Sequence, residues 1–128
     1  MSSRTLIHTK SAPAANGSYS QAIVVGDLVY CAGQTPVDPA TNDIVSGGFG
    51  TQVHQSLKNL EVVLNAAGSN LKKTIKTTVF LKDMENIAIM DKIYRTYFEE
   101  PYPARSTIEV ARLPKDALVE IELIAEKK

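Results

Sequence analysis

From Val53 to Ala67 the apolar residues Val53, Leu57, Leu60, Leu64 and Ala67 recur every three or four positions, whereas the segments on either side alternate. This change of period is the strongest restriction on the fold. A 3.6-residue repeat collects these side chains on one face of a helix, and a two-residue repeat sends neighbours to opposite faces of a strand. Gln52, Gln55, Lys58 and Glu61 fall off the apolar stripe, and Gly68 stands where a helix end favours a left-handed residue. The pattern predicts a helix over 51–67 that packs by one face only.

Strand patterns surround it. Arg4 to His8 is a short candidate, and Ala22–Val25 and Leu28–Ala32 flank Gly26-Asp27, a two-residue hairpin signal. Lys73 to Lys82 alternates, with Ile75, Thr77, Val79 and Leu81 on one face and Lys76, Thr78, Phe80 and Lys82 on the other. Helical spacing returns from Asn86 to Phe98 through Ile87, Met90, Tyr94 and Tyr97, and Pro101 and Pro103 stop it. Ala104–Ala111 and Ala117–Ala125 read as two strands joined in a hairpin by Leu113-Pro114-Lys115-Asp116. Thr35 to Gly48, with Pro36, Pro39, Gly47 and Gly48, reads as a surface loop. The order predicts one α+β domain over 1–128, a mixed sheet with two helices packed on one face.

Composition narrows the function. Fourteen Lys and Arg balance fourteen Asp and Glu, so the chain lacks the basic field that drives non-specific nucleic-acid binding. Apolar runs such as Ala22 to Val25 are far too short to span a bilayer. The single cysteine, Cys31, cannot form an intrachain disulfide. No signal-peptide core or Arg-rich leader opens the sequence. A cytoplasmic location is expected, with a mitochondrial one left open.

The candidate chemistry concentrates in the last two strands. Val119, Ile121 and Leu123 share one face, and Glu120 and Glu122 the other. Arg105, Thr107 and Glu109 share a face of the preceding strand. If Thr107 and Glu120 face the same side, one sheet face carries an arginine, a hydroxyl and carboxylates. Two readings stay open: a solvated face with cross-strand ion pairs, or an anion site in which Arg105 forks a carboxylate and Glu120 holds a water. Cys31 in an apolar strand reads as a small buried hydrophobe. His54, beside Val53, reads as a boundary residue, and no metal-ligand spacing links it to His8 and Cys31. Gly47-Gly48-Phe49-Gly50 lacks the lysine and hydroxyl of a phosphate loop.

Gly17-Ser-Tyr-Ser-Gln21, Ala32-Gly-Gln-Thr-Pro-Val37, Lys76-Thr-Thr-Val-Phe-Leu-Lys-Asp83, Pro103-Ala-Arg-Ser-Thr-Ile-Glu-Val-Ala-Arg-Leu-Pro114 and Val119-Glu-Ile-Glu-Leu-Ile-Ala125 keep their order and spacing along nearly the whole chain. Together they resemble the RidA/YjgF family. The resemblance implies a chorismate-mutase-like α+β fold, a homotrimer with sites in clefts between subunits, and hydrolysis of 2-imino and 2-enamino acids to 2-oxo acids and ammonia without cofactor or metal. It implies that Arg105 grips the substrate carboxylate and that Glu120 positions a water. Tyr19 would stand at the mouth of the site, and Gly33 would line it. Ala32 replaces a frequent serine, Thr107 replaces a frequent cysteine near the arginine while keeping a polar group, and Asp91 stands where the family often has an asparagine. Thr107 and Asp91 would join Tyr19, Gly33 and Arg105 in binding the substrate, and a charge at Asp91 is expected to weaken the binding of an anionic one.

Two other functions attach to such a chain. RNA cleavage or translation inhibition is attributed to some family members, but zero net charge and the lack of a paired-histidine site argue against it. A non-catalytic 2-oxo acid binder or chaperone-like protein would need Arg105 but would gain nothing from Glu120.

Overall fold

The computed structural model describes residues 3–128. Ten elements carry the architecture: β1 (Thr5–Ile7), β2 (Ala22–Val25), β3 (Leu28–Gln34), β4 (Val37–Asp38), β5 (Asp43–Ile44), α1 (Phe49–Ala66), β6 (Thr74–Leu81), α2 (Ile87–Tyr94), β7 (Ala104–Glu109) and β8 (Val119–Glu126). The apolar stripe of α1 is buried as its period requires, with Val53, Leu57, Leu60 and Leu64 wholly inaccessible to solvent. Gly68, at φ 82°, turns the chain out of the helix, and Ser69 N–H returns to the Leu64 carbonyl at 2.9 Å. α1 packs on β3 and β8, and α2 packs on α1. No helix among the described residues is long and apolar enough to cross a membrane.

The main sheet runs β1-β2-β3-β8-β6-β7. Every pairing is antiparallel except β6 with β7, which are parallel and joined through α2. The expected mixed sheet with two helices on one face is therefore present, but the expected hairpin of the last two strands is not. β7 lies on the far edge, and β8 inserts between β3 and β6. The physical reason lies in the two strands' burial. Val119, Ile121, Leu123 and Ala125 are at most 2 % exposed, a burden only a central strand under helices can carry, whereas β7 exposes four of its six residues. The turn at Leu113–Asp116 carries the chain across the sheet instead of reversing it in place.

Three smaller departures follow local chemistry. The 35–48 segment contains a two-stranded ladder, β4 with β5, around the turn at Asp38–Asn42. The helix expected over 86–98 is α-helical only over Ile87–Tyr94, preceded by a 3-10 turn that Asp83 caps by accepting from Glu85 N–H at 2.9 Å. Ile75, expected on the buried face, is 42 % exposed because an irregularity between Thr74 and Lys76 shifts its direction.

Candidate active site

Strand register decides which chemistry meets. Arg105 is the partner of Thr77 across the parallel β6–β7 pair, and Glu120 is the partner of Phe80 across β6–β8. Thr77 and Phe80 are three positions apart, so their side chains take opposite faces. Thr77 is fully buried beneath α2, which puts Arg105 on the helix side at the sheet edge and Glu120 on the open face. The expectation of a single polar face carrying both residues is corrected: the sheet separates them within one chain. Thr107 pairs with buried Val79 and so shares the helix side with Arg105.

Arg105 sits in a cavity of about 380 Å³ with Asp91, Tyr94, Arg95, Tyr102 and Pro103. Its guanidinium lies 4.8 Å from the centre of the Tyr94 ring, a cation–π arrangement. Nη1 donates to Asp91 Oδ1 at 2.7 Å, and Arg95 Nη2 donates to Asp91 Oδ2 at 2.6 Å. Tyr94 is in turn fixed by a 2.8 Å hydrogen bond between its hydroxyl and that of Thr77. Hydrogen bonding from Arg105 holds the Asp91 carboxyl below the usual carboxylate range. The hydrogen bond to Asp91 uses only Nη1 of Arg105, which leaves the Nε–Nη2 edge of this cavity-lining guanidinium outside that ion pair. Asp91, expected among the substrate-binding residues as a charge that weakens anion binding, instead accepts a hydrogen bond from Arg105 and orients it.

The second group lies on the open face. Tyr19, Ala32, Gly33, Thr35, Pro114 and Glu120 line a cavity of about 320 Å³. A Cβ at Gly33 would collide with Glu120 Oε2 and stand 3.0 Å from Cδ, so the carboxylate rests directly on the glycine backbone. Tyr19 is 55 % exposed at the rim. Burial first, and then the nearby Glu122 charge, push the Glu120 carboxyl above its ordinary value. Tyr19, Gly33 and Glu120 thus line one cavity, whereas Arg105 and Asp91 line another and Thr107 lies on the helix side with Arg105.

Residue patterns missed Tyr94, Arg95 and Tyr102 as lining residues. Tyr94 fits the apolar spacing of the helix and so carries no signal of its own, whereas the Asp91–Arg95 spacing of four is a visible ion-pair signal. Cys31 is buried, and burial pushes its thiol up to about 12, as an inert core residue requires. His54 Nδ1 is 2.7 Å from the Tyr97 hydroxyl, at the edge of the core.

The family described as Endoribonuclease L-PSP matches residues 9–127. A RutC family protein of Pyrococcus horikoshii is 49% identical over 125 residues, covering 98% of this chain and 99% of the relative. The chain belongs to this family, the RidA/YjgF proteins. A second RidA/YjgF relative, the 2-iminobutanoate/2-iminopropanoate deaminase of Rattus norvegicus, is 44% identical over 122 residues, covering 95% of this chain and 89% of that protein. A solved structure of a Rid family protein from Yersinia pestis superposes with a TM-score of 0.94 at 46% identity, covering 97% of this chain and 99% of that one. The resemblance drawn from the motifs and the fold it implied are thus shown for this RidA/YjgF chain.

Proposed function

We propose that this chain hydrolyses 2-imino acids and their enamine tautomers to 2-oxo acids and ammonia, at sites assembled between the subunits of a homotrimer. One observation carries the reading. A guanidinium with a free flat edge and a carboxylate of raised pKa each line an open cavity, and the sheet keeps them apart in one chain. Each cavity holds half of what the reaction needs, so a second copy supplies the rest. β7 is an edge strand, with Ile108 44 % exposed, and Tyr30 is 45 % exposed on the open face. Such surface suits association.

The chemistry follows from the two groups. The free edge of Arg105 takes the substrate carboxylate in two charge-assisted hydrogen bonds and fixes the adjoining imine carbon. Glu120 holds a water and takes its proton as the oxygen adds to that carbon, while the C=N electron pair moves to nitrogen. With the imine nitrogen already protonated, this gives a neutral carbinolamine. Glu120 passes its proton to the amine nitrogen, then takes the hydroxyl proton as the C–N bond breaks, the C=O bond forms and ammonia leaves, and it finally releases that proton to solvent. Imine and water become 2-oxo acid and ammonia.

RNA cleavage is favoured by names alone, the family's description and those of some similar structures. A nuclease built on histidine would find the Nδ1 of His54 occupied by Tyr97, and the zero net charge supplies no attraction for a polyanion. A single experiment separates the readings. An amino acid oxidase or dehydratase generates 2-iminopropanoate or 2-iminobutanoate in the presence of a trapping amine, and the protein is added to one arm. Faster loss of the imine supports the deaminase. An unchanged decay, or cleavage of RNA in a parallel reaction, overturns it.

A further inference from the structure

We infer that Asp91, held in place by Arg95, makes the Arg105 cavity selective for singly charged 2-imino and 2-oxo acids against dicarboxylic ones; this rests on the proposed function and names the substrate class within it. The cavity contains three charged side chains joined in a row, Arg105 to Asp91 at 2.7 Å and Asp91 to Arg95 at 2.6 Å. Two cations and one anion leave a net charge of +1. One substrate carboxylate on the free edge of Arg105 neutralises the set. A second carboxylate on the same molecule would share this cavity with the Asp91 carboxylate, and Arg95, its nearest cation, is already paired with Asp91 through Nη2.

Geometry makes Asp91 the element that decides. It takes a hydrogen bond from Nη1 of Arg105 and so dictates that the substrate uses the Nε–Nη2 edge. Its other oxygen is turned to Arg95, whose side chain is 62 % exposed and lies along the cavity rim. Asparagine at this position could still accept from Arg105, but it would leave the cavity at +2. Charge selection can therefore be removed with the arginine clamp in place. Arg95 acts in the opposite sense: without it, the cavity falls to zero and Asp91 repels any anion more strongly.

The test compares two 2-oxo acids of similar size by calorimetry at low ionic strength. 2-Oxoglutarate carries a second carboxylate where 5-methyl-2-oxohexanoate carries an isopropyl group. In Asp91→Asn the ratio of their dissociation constants should shift toward the dicarboxylate by on the order of tenfold relative to wild type. In Arg95→Gln, a mostly exposed position, it should shift the other way by about threefold, and both shifts should shrink in high salt. An unchanged ratio in Asp91→Asn, or shifts of the same sign in both variants, overturns the inference. Wild-type protein that binds neither acid overturns the proposed function, and the inference with it.

Discussion

The Glu120 carboxylate rests on the Cα of Gly33, with no room for a side chain between them. The contact joins β8 to the end of β3, where the register shifts between Cys31 and Gln34. Glycine at 33 is thus explained by close approach and not by an unusual backbone angle. Gly33→Ala should push the carboxylate aside, since the flexible end of Glu120 yields more readily than the backbone. Turnover should fall roughly a hundredfold, the effect of a misplacement of about 1 Å, while the melting temperature moves little. Kinetics and thermal unfolding on the same preparation check this; a large loss of stability with normal turnover would contradict it.

Glu120 itself should trade stability for activity. Its carboxyl titrates above its ordinary value because of burial and Glu122, so the folded chain binds this proton more tightly than the unfolded chain. Its contribution to stability is then greatest below the unfolded value and declines as pH rises through the raised folded one. At neutral pH the charged form is the costly one. Glu120→Gln should therefore raise the melting temperature at pH 7 and flatten this part of the pH–stability curve. Activity should drop about 10²- to 10⁴-fold, the range of a lost general base. In the wild type, the rate should fall on the acid side as Glu120 takes up its proton. A Gln variant that is less stable at pH 7, or fully active, would show that the carboxylate serves structure.

How far the sequence reached can be argued from particular residues. α1 was legible because its five-residue stripe and Gly68 are local signals, and β6 because its alternation survives everywhere except Ile75, at the irregularity. The pairing of β7 and β8 was not legible. Two alternating segments around a short turn look like a hairpin, and only the burial of Val119, Ile121 and Leu123 reveals β8 as a central strand. The face shared by Arg105 and Thr107 was correct, because parity within one strand is local. Their relation to Glu120 was wrong, because parity between strands depends on register and on a third strand, β6, lying between them. The resemblance named Arg105 and Glu120, but only the structure shows Asp91 as the partner of the arginine.

Tyr94→Phe tests the support beneath Arg105. The ring stays under the guanidinium, but the 2.8 Å hydrogen bond to Thr77 is lost, and the buried Thr77 hydroxyl loses its partner. Stability should fall by about 1–3 kcal/mol, the desolvation cost of an unpaired buried polar group. Turnover per folded molecule should change little. Replacement of Thr77 by Val in the same chain removes the orphaned hydroxyl, so the double variant should recover part of the loss. A denaturant titration of the wild type, both single variants and the double variant checks the coupling; additive losses would show that the two hydroxyls do not act as a pair.

The opposite faces of Arg105 and Glu120 give the shared-site proposal its most direct test. Arg105→Ala should reduce turnover to near background, because both the charge and the flat edge are lost. Arg105→Lys keeps the charge but not the fork and should remain well below wild type. If each site draws Arg105 from one chain and Glu120 from its neighbour around a ring, two inactive variants can rebuild it. In trimers of Arg105→Ala and Glu120→Gln chains mixed at random, a site works when its arginine comes from the second variant and its glutamate from the first. With equal amounts, about one site in four satisfies both conditions, so co-expressed variants should recover roughly a quarter of wild-type activity. Each variant alone should remain inactive. A site held within one chain predicts no recovery at any ratio, because every chain then carries a broken site. Light scattering on the same samples should give about three times 13.9 kDa for the variants and the mixture. A stable monomer, or a trimer whose mixed form stays inactive, would overturn the assignment of the two residues to one shared site.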